Sequence, residues 1–253
     1  MMIPTLHDAS GVLAVAKPAG LPTQAPPGIA SVESLVREQL FGDGVATARA
    51  TGQRRHPGGF LGVPHRLDRG VSGVLLLATT PRAARQLSRQ FERRQIAKTY
   101  LAIVASQESG VGEGQTFEWR DMIRKVPDVA RAEVVPDGTA DGREAISTGR
   151  VLARHGDQRL LTLEPLTGRM HQLRVQAAAR GMPVAGDCLY GGLPVSHETD
   201  ERSSPIALHA WRITFTDPDT SRPIELICPL PNHAPWDGWA IAHVDGTLRS
   251  LTR

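Results

Sequence analysis

Asp68 stands between Arg66 and Arg69 in the stretch His65-Arg66-Leu67-Asp68-Arg69-Gly70-Val71-Ser72-Gly73, directly ahead of the aliphatic run Val74-Leu75-Leu76-Leu77. A carboxylate that must stay ionised in a cleft gains from flanking cations, a tight turn and an apolar strand to anchor it, and such a group can serve as a nucleophile. The other reading of the same residues is a solvated, salt-bridged loop before a core strand. A second concentration of reactive types lies at Thr167-Gly168-Arg169-Met170-His171-Gln172-Leu173-Arg174, and Tyr100, one of two tyrosines, follows Lys98-Thr99.

The elements that must position these groups are legible in outline. Gly11 to Ala16 is a short apolar strand stopped by the Pro/Gly turn Lys17-Pro18-Ala19-Gly20-Leu21-Pro22. Ser31 to Leu40 carries a helical pattern behind a capping serine. Val74 to Ala78 fits a strand buried on both faces, and a helix follows with Thr80 as N-cap and Pro81 at its first position. Lys98 to Val104, Leu160 to Pro165, Ala210 to Phe215 and Ile224 to Cys228 are further strands, and Ala145 to Thr148 resumes after a turn-rich break at 137–143. Met170 to Arg180 forms a helix with Gly181 as its left-handed stop. Gly42 to Phe60, rich in Gly, Ala and Arg without periodicity, is a surface loop. Strands outnumber helices and few are joined by helical crossovers, so an α+β fold with a mainly antiparallel sheet is expected over a doubly wound one.

Composition narrows the class. The chain has 253 residues, 40% of them hydrophobic, which suits a globular protein with a substantial core. No apolar run approaches the ~20 residues that would cross a bilayer, and the N-terminus lacks the marks of a secretory leader, so a cytosolic location is expected. Two cysteines without metal-ligand spacing, Cys188 and Cys228, point to small buried hydrophobes, with neither a disulfide framework nor structural zinc. The formal net charge is +3, and of 29 basic residues only Lys17, Lys98 and Lys125 are lysines. Arginine forks suit phosphate, though a G+C-rich genome produces the same bias with no function attached.

Five segments, in order, resemble the RluA-type pseudouridine synthases. Lys17-Pro18-Ala19-Gly20-Leu21 resembles the family's opening KPAGL turn, His65 to Asp68 with Ser72-Gly73 its HRLD-xx-TSG signature, and Lys98-Thr99-Tyr100 its K-x-Y strand. Thr167 to Val175 resembles its TGR-x-HQLRV segment and Gly186-Asp187-Cys188-Leu189-Tyr190-Gly191 its GD-xx-YG turn. Val71, Met170 and Gln176 depart from the family's usual residues, and none of these changes removes a charged or reacting group. The resemblance implies a single catalytic domain over residues 1–253, with its core at about 8–230, peripheral helices, a central catalytic cleft and no S4-type RNA-binding module in front. It also implies that 42–60 and 110–142 are insertions available for target selection.

On that resemblance the chain isomerises a uridine in tRNA or ribosomal RNA to pseudouridine as a monomer, with no cofactor, metal or membrane involved. Asp68 is then the catalytic carboxylate, attacking C1′, attacking C6 or assisting departure of the base, alternatives the sequence leaves open. Arg174 is its cationic partner and Tyr100 stacks on the extruded uracil. Arg66 fills the gap left by the flipped nucleotide. His65, Arg69, Arg169, His171, Gln172 and Leu173 line the site, bind RNA or support its loops. Two other classes compete with it: a catalytically idle RNA-binding domain on the same fold, and a sugar hydrolase with a carboxylate nucleophile, which would need a second carboxylate at a defined separation.

Overall fold

The computed structural model describes residues 1–42, 59–105, 112–195 and 204–232, with Trp236 and Trp239. Most of the 42–60 loop, residues 43–58, lies outside these. The chain divides into two compact units, Met1–Lys98 with Ala210–Cys228 and Thr99–His209 with Pro229–Arg253. The fold is mixed α+β, with ten strands among the described residues.

The first unit carries β1 (Thr5–Ala9), β2 (Val12–Lys17), α1 (Val32–Phe41), β3 (Ser72–Ala78), α2 (Pro81–Glu92) and β10 (Pro223–Ile227), together with most of β9 (Leu208–Thr216). Its strand order is β1-β2-β3-β9, with β10 paired to β9. The pairs β1–β2, β2–β3 and β9–β10 are antiparallel. Every residue of β3 is buried, as its unbroken aliphatic run demands, and Gly73 is required there because a Cβ at its φ of +121° would run into the backbone of Ala210. Ser31 caps α1 through a reciprocal pair with Ser34, and Thr80 caps α2 ahead of Pro81, as expected from sequence.

The second unit holds most of β4 (Ala97–Ala105), then β5 (Thr116–Lys125), β6 (Ala132–Val135), β7 (Arg143–His155), β8 (Gln158–Pro165) and α3 (Gln172–Ala178), in strand order β4-β8-β7-β5-β6, each neighbour antiparallel. The β5–β6 hairpin occupies a region that sequence reasoning treated only as an insertion. Helix α3 is shorter than the expected 170–180 because His171, at φ +51°, is left-handed and cannot continue a helix. At the other end, three-residue turns, Arg180 N–H to Ala177 O and Gly181 N–H to Ala178 O, close the helix before Gly181 at φ +66°. Val175 of α3 packs with Ile123, Ala132, Ala145 and Tyr190, so one side chain from each of β5, β6 and β7 seats the helix. Burying one such valine contributes roughly 1.5–3 kcal/mol. Cys228 is buried as expected, whereas Cys188 is only half-buried. No described helix is long and apolar enough to cross a membrane.

Candidate active site

Asp68 lies in the loop that feeds β3, half-buried between exposed Arg66 and Arg69. The backbone on either side of it is clamped. Leu67 donates its N–H to Thr23 Oγ1 at 3.1 Å and accepts from the same hydroxyl at 2.9 Å. On the other side, Arg69 O accepts from Gly20 N–H at 2.9 Å while the Arg69 Nε–H donates to Gly20 O at 2.9 Å. Asp68 O itself closes a turn by accepting from Val71 N–H at 3.1 Å.

Lys17, at the end of β2, completes the clamp. Its ammonium, 2% exposed, donates to Pro18 O at 2.9 Å, Arg69 O at 3.1 Å and Val71 O at 2.6 Å. Three protons meet three carbonyls, so this lysine holds the loop and has no proton left to offer a substrate. Burial pulls its pKa from 10.5 down to about 7, the Asp68 carboxylate pulling it back up and Arg69 lowering it further. Sequence reasoning gave Lys17 no defined role. The KPAGL turn was its only signal, since the acceptors at 69 and 71 are more than fifty residues away.

His65 supports the same loop. Its ring stacks on Phe91 at 4.5 Å, and Nε2 accepts from Leu76 N–H at 2.9 Å, which ties the loop to β3. Loss of water around the ring, with Lys98 adding repulsion, lowers its pKa to about 3, so it is a neutral acceptor at physiological pH. Burial also lowers the pKa of Lys98.

In the second unit Tyr100 sits half-buried on β4 opposite Leu163 of β8. Beside it, Thr99 Oγ1 donates to Glu164 at 3.2 Å. The segment 167–180 is held by an amide network. Gln172, 4% exposed, accepts from Thr167 Oγ1 at 2.7 Å and Arg169 N–H at 3.0 Å, and donates to Ile146 O at 3.0 Å and Ser147 Oγ at 2.9 Å. These four bonds use the full capacity of a carboxamide, so Gln172 supports the loop and does not reach outward. Gln176 repeats the device, accepting from Ser147 Oγ and donating to Trp119 O, Asp121 and Ala145 O. Asp121 in turn pairs with Arg180 at 3.0 Å.

Arg174, its side chain 11% exposed, is gripped side-on by Asp187, with Nε at 2.7 Å from Oδ2 and Nη2 at 2.8 Å from Oδ1. Its guanidinium also lies over the Tyr190 ring at 5.1 Å. His171 Nδ1 meets Tyr190 Oη at 2.9 Å, Arg169 Nε–H donates to Glu144 O at 2.9 Å, and Leu173 is buried. The structure thus gathers His65, Arg66, Asp68 and Arg69 around one loop and Arg169, His171, Gln172, Leu173 and Arg174 around one helix. Sequence reasoning marked Lys17, Asp187 and Tyr190 as motif members and gave none of them a role at the site.

The family model for RNA pseudouridylate synthases matches residues 11–179, a span that contains both the loop and the whole of α3. The chain belongs to that family. It is 30% identical over 230 residues to the dual-specificity RNA pseudouridine synthase RluA of Yersinia pestis, covering 88% of this chain and 97% of that one. It is 34% identical over 227 residues to an RNA pseudouridine synthase of Zymomonas mobilis, covering 88% and 91%. A tRNA pseudouridine synthase C of Salmonella typhimurium shares 37% identity over 172 residues, covering 63% of this chain and 64% of its own. The solved human RNA pseudouridylate synthase domain containing 4 overlays with a TM-score of 0.65 at 22% identity, covering 97% of this chain and 93% of that one, which shows a shared fold. As a member of the RluA-type family the chain is an RNA pseudouridine synthase, an isomerase.

Proposed function

We propose that Asp68 is the carboxylate through which this synthase isomerises a uridine that has been turned out of a tRNA or ribosomal RNA stem-loop. The reaction breaks the N1–C1′ bond, rotates the uracil, forms C5–C1′, and moves one proton off C5 and one onto N1, so it is balanced without redox partner or group donor. The observation that carries the reading is the clamp on Asp68. A half-buried carboxylate whose neighbours 67 and 69 are both fixed through their backbones is held in one place, as a reacting group must be and a surface aspartate need not be.

Tyr100 gives the extruded uracil a flat surface, and stacking grips a base without using its pairing edge. Arg174 supplies positive charge for the anionic groups of the reaction, the Asp68 carboxylate or a phosphate of the bent backbone. Arg66, exposed beside Asp68, fills the space the nucleotide leaves, offsetting an unstacking cost of roughly a few kcal/mol. Arg69 and Arg169 contact phosphates. The tRNA or ribosomal class of target rests on relatives named for tRNA and for the ribosomal large subunit.

The test uses unmodified tRNA and ribosomal RNA transcripts carrying tritium at uracil C5. The wild-type protein releases tritium from one class. Asp68→Asn binds the same RNA and releases tritium at least about 1,000-fold more slowly; release at the wild-type rate defeats the assignment of Asp68. Free uracil in the supernatant would replace isomerisation by hydrolysis.

A further inference from the structure

The turn Gly186-Asp187-Cys188-Leu189-Tyr190-Gly191 has no part in the chemistry proposed above, yet it contacts Arg174 through two of its side chains. Asp187, its side chain 1% exposed, takes the Nε and Nη2 edge of the guanidinium with both oxygens. Tyr190, three residues on, lies under the same guanidinium. A bidentate carboxylate on one edge and a ring face 5.1 Å from the central carbon restrict how a guanidinium can turn.

Both holders are themselves held. Tyr190 Oη accepts from Ala132 N–H at 2.8 Å and meets His171 Nδ1, while its ring belongs to the cluster with Val175 that seats α3. Asp187 donates its N–H to Val184 O at 3.0 Å, and its carbonyl accepts from Tyr190 N–H at 3.0 Å and Gly192 N–H at 2.9 Å. The turn admits no looser version. Gly186, at φ +85°, packs against Pro205 O, and a Cβ at Gly192 would strike Val184 O.

We infer that Asp187 and Tyr190 are positioning residues, which fix the plane and heading of the Arg174 guanidinium so that the edge turned away from Asp187 is presented to an anionic group of the reaction. The inference rests on the role of Arg174 proposed above. Pre-orienting the fork removes the freedom that an unsupported arginine would surrender in each turnover. A purely structural ion pair tying the turn to α3 would show the same contacts, and the difference lies in whether the effect on rate passes through Arg174.

The experiment is a double-substitution cycle under single-turnover conditions, with RNA affinity measured in parallel. Asp187→Asn lowers the rate about 10- to 100-fold with RNA Kd changed less than about threefold. In the Arg174→Lys background the same substitution lowers the rate less than about threefold, because an ammonium has no plane to orient. An equal factor in both backgrounds, or an unchanged rate in Asp187→Asn, overturns the inference. A readout independent of activity is hydrogen exchange at the Arg174 Nε–H, identified by the loss of its signal in Arg174→Lys. It is slowed in the wild type and fast in Asp187→Asn; exchange in the wild type at the rate of exposed arginines overturns the inference even if a variant does not fold. A wild-type protein that makes no pseudouridine while protecting this Nε–H would sink the proposed function and leave the cradle standing.

Discussion

The loop around Asp68 and the helix that carries Arg174 are fixed by opposite means. Around Asp68 the acceptors are main-chain carbonyls, those of Pro18, Leu67, Arg69 and Val71, and a single ammonium serves three of them. Around Arg174 the contacts run from side chain to side chain, through Gln172, Gln176, Ser147, Thr167, Asp121 and Asp187. The first arrangement positions a short acidic side chain by fixing the backbone it hangs from. The second positions the tip of a long one, which backbone control alone would not reach. The first therefore fails when one residue is removed, whereas the amide network beneath α3 spreads a loss over several partners, with Asp187 the exception on that side.

The largest effect expected from that contrast is at Lys17. Lys17→Met removes the ammonium from the carbonyls of Pro18 and Val71, each loss costing about 1–3 kcal/mol, while Arg69 O keeps its bond from Gly20 N–H; the Asp68 loop then moves, so the single-turnover rate falls about 100-fold with RNA affinity nearly unchanged. A rate within a few-fold of wild type would break the contrast. The pH profile sharpens it. Above about pH 7 Lys17 loses a proton and one of its three donors, so wild-type activity declines there and the Met variant shows no such decline. Stability moves the other way: between about pH 7 and 10.5 the unfolded chain binds more protons than the native state, and stability rises with pH across that window.

Next comes His65, whose folded pKa of about 3 lies below the ordinary 6.5. Its contribution to stability is whole above 6.5 and is lost as pH falls toward 3, at about 1.4 kcal/mol per pH unit while only the unfolded chain is protonated. Denaturation midpoints measured from pH 6.5 to 4.5 should fall less steeply in His65→Gln; equal slopes would mean that the ring titrates normally in the fold. The smallest effect belongs to the amide network. Thr167→Val removes one of four partners of Gln172 and the acceptor of Ile146 N–H, costing about 1–2 kcal/mol in a denaturant titration with the rate nearly unchanged. A rate loss as large as that of Lys17→Met would show that the helix side is no more tolerant than the loop side.

What the sequence made legible follows from locality. Asp68 stood out because its arginines, turn and strand are contiguous, and β3 was plain from its unbroken aliphatic run. The caps of α1 and α2 lie within three residues of their targets. The β5–β6 hairpin was obscured by charged residues that pair across strands, such as Arg124 with Glu133 and Arg120 with Glu144, which blur a two-residue alternation. The roles of Lys17, Asp187 and Tyr190 were hidden because each depends on a partner brought in by tertiary contact. Motif membership marked all three as notable and said nothing of what they hold.

The cradle of three carbonyls around Lys17 sets a limit on what drift in base composition can do. This chain writes all but three of its 29 cations as arginine, yet the site at 17 suits a small sphere of charge whose protons point three ways. A flat guanidinium placed there would be too wide for the space and would aim its hydrogens in one plane. A codon change that is harmless at an exposed position would, at this buried one, unseat the loop that carries Asp68.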